Sequence, residues 1–188
     1  MRHVAYTSIL NPTEANPAGA TPSHRATEET LRNSGLQLTL LRNGLYADFQ
    51  VPGLQAAMES GLHVHNGGNG KTAYVTRADC AAVAAAVLTG ERHEGKAYDV
   101  TGPESLSGAD LAAIASEVSG KPVEAIAVDD EAYMASLIEH AGLPAPIAGF
   151  AASFGRAIRG GFLDGQSPVV EQLTGRAPRT LQELLASS

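Results

Sequence analysis

The chain has 188 residues, of which 44% are hydrophobic and 18% charged, a balance typical of a globular domain. Its formal net charge of −7 argues against a nucleic-acid partner, because binding to a phosphate backbone needs a basic surface. The single cysteine, Cys80, allows no internal disulfide and fits a protein of the reducing cytoplasm, where we expect it to be a buried apolar side chain. The sequence predicts no membrane span, because no apolar run approaches about 18 residues.

The first ten residues, MRHVAYTSIL, form a nearly continuous apolar run that predicts a strand covered on both faces within a parallel sheet. Such a strand needs neighbours on both sides. The rest of the chain alternates helices with strands but offers no set of strands to flank the first one. We therefore expect the second half of a doubly wound α/β domain, with the first half absent.

The next segments predict a helix and a second strand. A loop with three prolines is expected at 11–23, then a helix at 24–33 that ends before Gly35, and then a strand at 36–41. This unit has the size of a right-handed crossover between two parallel strands.

The remainder of the chain continues the alternation. We expect helices at 47–60, 77–88, 107–119 and 129–140. We expect short strands at 62–64, 72–75, 98–100 and 123–128. Thr76 and Ser107 are the expected caps of two of the helices. From 144 to 188, glycines and prolines predict only short helices.

Residues 65–72, HNGGNGKT, differ by one residue from the phosphate-binding loop G-x-x-x-x-G-K-[ST]. That loop needs a helix directly after it, because the helix N-terminus holds the phosphate. Here residues 73–75 predict a strand instead. A glycine-rich hairpin or a surface turn is therefore the better interpretation.

His63 and His65 share one face of a predicted strand and could present two imidazoles to a metal ion. No third ligand stands at a supporting spacing, so we favour no metal site. The acidic residues 129–131 similarly favour a helix N-terminus, where the macrodipole stabilises carboxylates, over a catalytic acid/base pair.

Five segments together carry a family resemblance. They are AYTS at 5–8, HRATEE at 24–29, TLLRNGLYADF at 39–49, YVTRADCAAVAAAVL at 74–88 and YDVTGPESLSGADLA at 98–112. With their spacing, they resemble the C-terminal half of the atypical short-chain dehydrogenase/reductase family. The resemblance is greatest to its NmrA-like branch, which includes NADPH-dependent quinone oxidoreductases.

The resemblance implies a partial Rossmann-like doubly wound sheet that lacks its N-terminal half, with a small C-terminal α/β lobe. Residues 1–60 would be the C-terminal half of an NAD(P)-binding domain, and residues 61–188 a substrate-binding lobe with returning strands and helices. Family members begin with a G-x-T-G-x-x-G turn that holds the cofactor pyrophosphate. This chain contains no such segment, and we expect it to bind the cofactor weakly on its own.

The resemblance also implies site residues. His24 stands where the family has the lysine of its Tyr-x-x-x-Lys pair, and Ala20 stands at the tyrosine position. His24 is therefore the candidate for proton transfer and for a bond to the nicotinamide ribose, although a solvated histidine at a helix start explains it equally well. The candidate cofactor contacts, His24 included, are completed by Ser8, Asn43, Gly44, Tyr46 and Asp48. Where the family often has Glu-Asn, this chain has Asp48 and Phe49.

The expected function is that of an NAD(P)H-dependent oxidoreductase that reduces a quinone or a similar small electrophile. Its cofactor would be NADP or, alternatively, NAD. A homo-oligomer is expected, because the unpaired edge of the first strand would recruit another chain. Two alternatives stay open: a regulatory protein that senses NADP without turnover, and an inactive fragment or oligomeric scaffold.

Overall fold

The computed structural model describes residues 3–188. This part of the chain contains five β-strands and eight α-helices. The strands are β1 (His3–Ile9), β2 (Gln37–Asn43), β3 (Leu62–His65), β4 (Ala97–Val100) and β5 (Glu124–Ala127). The helices are α1 (Thr21–Arg32), α2 (Val51–Ser60), α3 (Arg77–Thr89), α4 (Gly108–Ser119), α5 (Asp130–Ala141), α6 (Ala145–Arg159), α7 (Val169–Thr174) and α8 (Leu181–Ala186).

The strands form two parallel sheets. In the first sheet β2 lies between β1 and β4, and in the second β3 pairs with β5. The crossover through α1 joins β1 to its neighbour β2, whereas β4 returns to this sheet after α2, β3 and α3. The predicted α/β class is confirmed. Within residues 3–188, β1 pairs only with β2, so its other edge is open.

Two helix starts lie where the capping residues predicted them. The Thr76 hydroxyl accepts a hydrogen bond from Asp79 N at 3.0 Å and caps α3. Ser107 caps α4 and forms a reciprocal capping box with Asp110. These side chains satisfy backbone N–H groups that have no partner inside the helix.

Prolines shift the starts of two other helices. The helix α1 begins at Thr21, and Pro22 lies in its first turn, where the missing N–H group costs no hydrogen bond. Pro52 lies in the first turn of α2 for the same reason. The helix predicted at 47–60 is therefore divided into a 3₁₀ turn, Ala47–Phe49, and α2.

The strand predicted at 72–75 is wrong. Thr72 bonds to Leu106, whereas Val75 N donates to Leu45 O at 2.9 Å, so the segment makes two isolated bridges to different neighbours. The segment is fully buried and passes between these neighbours without joining either sheet.

The expectation of only short helices after 144 is also wrong, because α6 has 15 residues. Gly155 lies inside this helix rather than ending it. A Cβ there would be 1.9 Å from Asn66 Oδ1, so the glycine lets the Asn66 side chain pack against the helix. Tertiary packing thus decides the role of a residue that sequence rules treat as a helix breaker.

The two faces of the first sheet are covered by different helices. The helix α1 covers one face, while α3 and α7 cover the other with an apolar cluster. The buried members of this cluster are Leu41, Val75, Cys80, Val83, Val87, Val100 and Val170. Cys80 is buried, as predicted, and burial raises the pKa of its thiol to about 12. Within residues 3–188, no helix combines the length and apolar content needed to cross a membrane.

Candidate functional site

The candidate site lies at the edge of the first sheet where β1, β2 and β4 end, the position at which open α/β sheets bind ligands. Gly44 N donates to Val100 O at 2.8 Å, which ties the end of β2 to the end of β4. A Cβ on Gly44 would lie 2.8 Å from Ala73 O. Glycine is thus needed here for the close approach of the buried 72–75 segment.

Asn43 and Tyr46 form a pair at the end of β2. Asn43 Nδ2 donates to the Tyr46 hydroxyl oxygen at 3.1 Å. Asn43 is only 4% exposed, and its Oδ1 is buried without a hydrogen-bond partner among the described residues. Because a buried carbonyl oxygen without a partner is costly, Asn43 Oδ1 is an acceptor suited to a ligand.

Asp48 and Phe49 contact Arg77 at the start of α3. Asp48 accepts a hydrogen bond from Arg77 N at 2.8 Å and forms an ion pair with the guanidinium at 3.1 Å. Burial opposes ionisation of Asp48, but its hydrogen bonds, led by the one from Arg77 N, outweigh this effect and lower its pKa. These contacts give Asp48 a structural role at the helix N-terminus. Phe49 is 70% exposed and lies under the Arg77 guanidinium.

His24 pairs with Tyr6, a residue that the sequence analysis did not single out. His24 Nδ1 lies 2.9 Å from the Tyr6 hydroxyl oxygen. Burial lowers the pKa of His24, while the charge of Glu28 opposes this shift. The half-buried imidazole is therefore hydrogen-bonded rather than freely solvated, and its neutral form can exchange a proton with the phenol.

The carboxylate of Glu28 is the charged centre of the α1 face. It is 1% exposed and accepts two hydrogen bonds from Arg42, at 3.1 and 2.8 Å, and one from Arg32 at 2.6 Å. Burial would raise the pKa of Glu28, but these hydrogen bonds more than offset it and lower the pKa. Ser8 lies near this carboxylate, yet its buried Oγ has no partner of normal geometry within residues 3–188.

The strand registers place the candidate residues on opposite faces of the sheet. Ser8 pairs with Arg42, which pairs with Asp99, so these three share the face under α1. Asn43, the next residue along β2, points to the other face. The structure thus brings together Asn43 with Tyr46 and His24 with Tyr6, but no hydrogen bond in the described part of the chain joins the two pairs.

A cavity of about 280 Å³ opens at the same carboxyl edge. A loop after α6 closes one side of it and is fixed by a hydrogen bond of 2.9 Å from Ser167 N to Thr101 Oγ1. The lining residues are Leu10, Asn11, Arg42, Asp99, Thr101, Asp164, Gly165, Gln166 and Ser167. Sequence patterns do not predict this loop at the site, because it returns to the sheet from far along the chain.

The remaining motifs have structural roles. No helix directly follows the glycine-rich residues 65–72, since α3 begins only at Arg77, and the interpretation as a turn is confirmed. Asp129 caps α5 by accepting from Ala132 N at 2.8 Å. Asp130 binds Arg156 and Arg159, and the hydrogen bond from Arg159 above all lowers its pKa to about 2.

The histidines of β3 are stacked. The ring centroids of His63 and His65 are 5.6 Å apart, with the planes inclined by 13°. In the part of the chain that the structure describes, no three His, Cys, Asp or Glu side chains gather as a set of metal ligands.

Comparison with known proteins places this geometry in a family. No family model matches the chain. It is 38% identical over 184 residues to quinone oxidoreductase 2 of Escherichia coli, a match that covers 97% of this chain and 63% of that protein. The chain thus spans less than two thirds of the length of this curated relative.

Solved structures agree. The crystal structure of the NADPH-dependent quinone oxidoreductase QOR2 of E. coli superposes with a TM-score of 0.94 at 35% identity, over 99% of this chain and 67% of that one. The triphenylmethane reductase of Citrobacter sp., complexed with NADP(H), gives a TM-score of 0.91 at 37% identity, over 99% of this chain and 65% of that one. The partial Rossmann-like fold inferred from the sequence is confirmed. The chain belongs to the atypical short-chain dehydrogenase/reductase family, in its NmrA-like branch.

Proposed function

We propose that this chain is part of an NADPH-dependent oxidoreductase that reduces a quinone or a similar flat electrophile. The observation that carries the proposal is Asn43 Oδ1, a buried acceptor without a partner in the described residues, at the carboxyl end of β2. The E. coli relative, whose crystal structure has also been determined with NADPH, supports the choice of cofactor.

The residues at the sheet edge fit the nicotinamide end of such a cofactor. Asn43 Oδ1 and Ser8 Oγ are buried polar atoms without partners in residues 3–188, and a carboxamide or a ribose hydroxyl could satisfy them. The sequence has no glycine-rich turn for the pyrophosphate. We therefore assign the nicotinamide side of the site to this chain.

Each candidate residue then has a proposed task. Asn43 would bind the cofactor and hold the Tyr46 hydroxyl, so that the Tyr46 ring borders the reacting face. Gly44 would let the backbone approach, and Asp48 would act through its contact with Arg77. His24 would bind the ribose.

When bound, NADPH supplies a hydride to the electrophile. A quinone that receives a hydride needs one proton to become a hydroquinone. The Tyr6 and His24 pair is our candidate source, because the phenol and the imidazole are 2.9 Å apart and each can hold or release a proton.

We propose separate roles for the two parts of the chain. We assign residues 1–60 to the cofactor half and residues 61–188 to the substrate lobe. From this second part, β4 returns to the first sheet and the loop at 164–167 closes the cavity at its edge.

The decisive test is an assay of NADPH oxidation. The chain is joined to the part of the E. coli relative that its match leaves uncovered, and NADPH absorbance is followed with and without quinone. We expect oxidation that depends on the quinone, and less of it in a His24→Ala variant. NADPH binding without oxidation would instead support a sensor, and neither binding nor oxidation would support a scaffold.

A further inference from the structure

The helix α6 exposes an aromatic side chain, Phe150. The Phe150 side chain is 47% exposed and contacts Phe154 edge to face, with ring centroids 5.1 Å apart and planes inclined by 85°. This contact fixes the orientation of the Phe150 ring and leaves much of it open to a further planar partner.

Phe150 is held against the segment that leads into α1. A Cβ on Gly19 would lie 2.8 Å from Phe150 Cδ2, so the ring rests directly on the Gly19 backbone. Gly19 N donates to Ser153 Oγ at 2.8 Å, and this hydroxyl donates to Phe150 O. The position of α6 relative to α1 is thus set by specific contacts at Gly19.

These contacts link the Phe150 ring to the segment that leads to His24. His24 N donates to Ala20 O at 3.2 Å, so His24 lies one helical turn after the residue that follows Gly19. Ala20, Phe154 and Leu45 pack against one apolar cluster at the end of β1. The start of α1, the residue after Gly44 and Phe154, which contacts the Phe150 ring, therefore meet in one cluster at the carboxyl edge of the sheet.

We propose that Phe150 is a specificity-determining residue that forms one wall of the electrophile site and favours planar aromatic acceptors. This role rests on the proposed function and goes beyond it by naming the surface that selects the acceptor. A fused two-ring quinone would stack on more of the exposed ring than benzoquinone would, and a compact aliphatic acceptor would gain nothing from it.

Binding of a naphthoquinone to the 188-residue chain tests the wall directly. We expect saturation-transfer NMR to show that magnetic saturation passes from the protein to the naphthoquinone. This signal should be weaker in Phe150→Ala and in Phe150→Leu. It should persist in Phe150→Tyr, which keeps the ring. Ile138→Ala is the matched control, because Ile138 is a similarly exposed apolar residue of the neighbouring helix α5.

Kinetics of the joined protein add a second readout. Phe150→Leu should raise the KM for the naphthoquinone about 2- to 10-fold, the range expected for one aromatic contact. The KM for benzoquinone should rise less, and kcat and NADPH affinity should stay unchanged. A naphthoquinone KM and NMR transfer equal to those of the unaltered chain would overturn the role of Phe150.

The two proposals fail separately. If the joined protein oxidises NADPH with every quinone, and the Phe150 variants have the same naphthoquinone KM and binding as the unaltered chain, the proposed role of Phe150 is wrong. The proposed function then stands. If there is no turnover with any acceptor, the proposed function fails, and loss of naphthoquinone binding in Phe150→Leu would still support an aromatic site.

Discussion

At the scale of a single residue, Glu28 shows how this fold stabilises a buried charge. Its carboxylate is almost completely buried, and hydrogen bonds from Arg42 and Arg32 replace the lost water. In the sequence, Glu28 and Glu29 are indistinguishable members of a helix. Only the position of Arg42 on β2 makes one of them a structural centre.

Replacing Glu28 by alanine should destabilise the protein by about 3 kcal/mol, because Arg42 would be left without its partner in a largely buried position. Urea unfolding measures the loss of free energy. Glu29→Ala is the matched control, since that side chain is exposed on the same helix. Equal losses for the two variants would show that the ion pair adds nothing.

Tyr46→Ala should lower turnover of the joined protein by more than it weakens NADPH binding, because a residue that positions the reacting ring acts mainly on the transition state. Tyr46→Phe keeps the ring and removes only the bond with Asn43, so it should have a smaller effect. Steady-state kinetics and calorimetry provide the two quantities. If neither turnover nor binding changes in Tyr46→Ala, Tyr46 is a packing residue and the site is misplaced.

His63 makes stability depend on pH. Burial, reinforced by the neighbouring His65, lowers the pKa of His63 from 6.5 to about 4. Between these values the His63 imidazole is protonated in the unfolded chain but neutral in the folded chain. The free energy of unfolding therefore decreases as the pH falls from about 6.5 to about 4. The free energy of unfolding should decrease by up to about 3 kcal/mol over this pH range.

A His63→Leu variant should therefore lose much of this pH dependence. Urea unfolding between pH 7 and pH 4, in the window set by these two pKa values, measures the slope. His140→Gln serves as the control, because His140 is an exposed histidine in the last turn of α5. A slope that is unchanged in His63→Leu would assign the acid sensitivity to other groups.

At the scale of secondary structure, the edge strand β1 leaves one edge open to association with another chain. Its only partner among residues 3–188 is β2, and an open strand edge is a template for another chain. We predict a dimer or larger assembly that covers residues 4–10. Light scattering that shows a monomer at high protein concentration would contradict this.

The Thr7→Lys variant tests which surface associates. Thr7 is exposed in the middle of β1, and a charge there should oppose pairing and shift the assembly toward monomers. Thr30→Lys adds the same charge to the exposed surface of α1 and should leave the assembly unchanged.

At the scale of the whole molecule, the proposed function gives the sheet one end of a dinucleotide site. Asn43 and Ser8 offer polar atoms for the nicotinamide side, but no glycine-rich turn for the pyrophosphate is found in the sequence. Calorimetry on the 188-residue chain should therefore show no saturation by NADPH in the micromolar range. A micromolar Kd would show that the contacts of this chain suffice by themselves.

The sequence by itself determined the local features of this protein. The caps Thr76 and Ser107 and all the predicted strands except the one at 72–75 depend on neighbouring positions, and these predictions agree with the structure. Only tertiary structure decided the pairing of Tyr6 with His24, 18 residues apart, and of Glu28 with Arg42, 14 residues apart. The same holds for Gly155, whose place inside α6 depends on the distant Asn66. Periodicity and propensity describe what each segment can form, whereas these contacts depend on which segments the crossovers bring together.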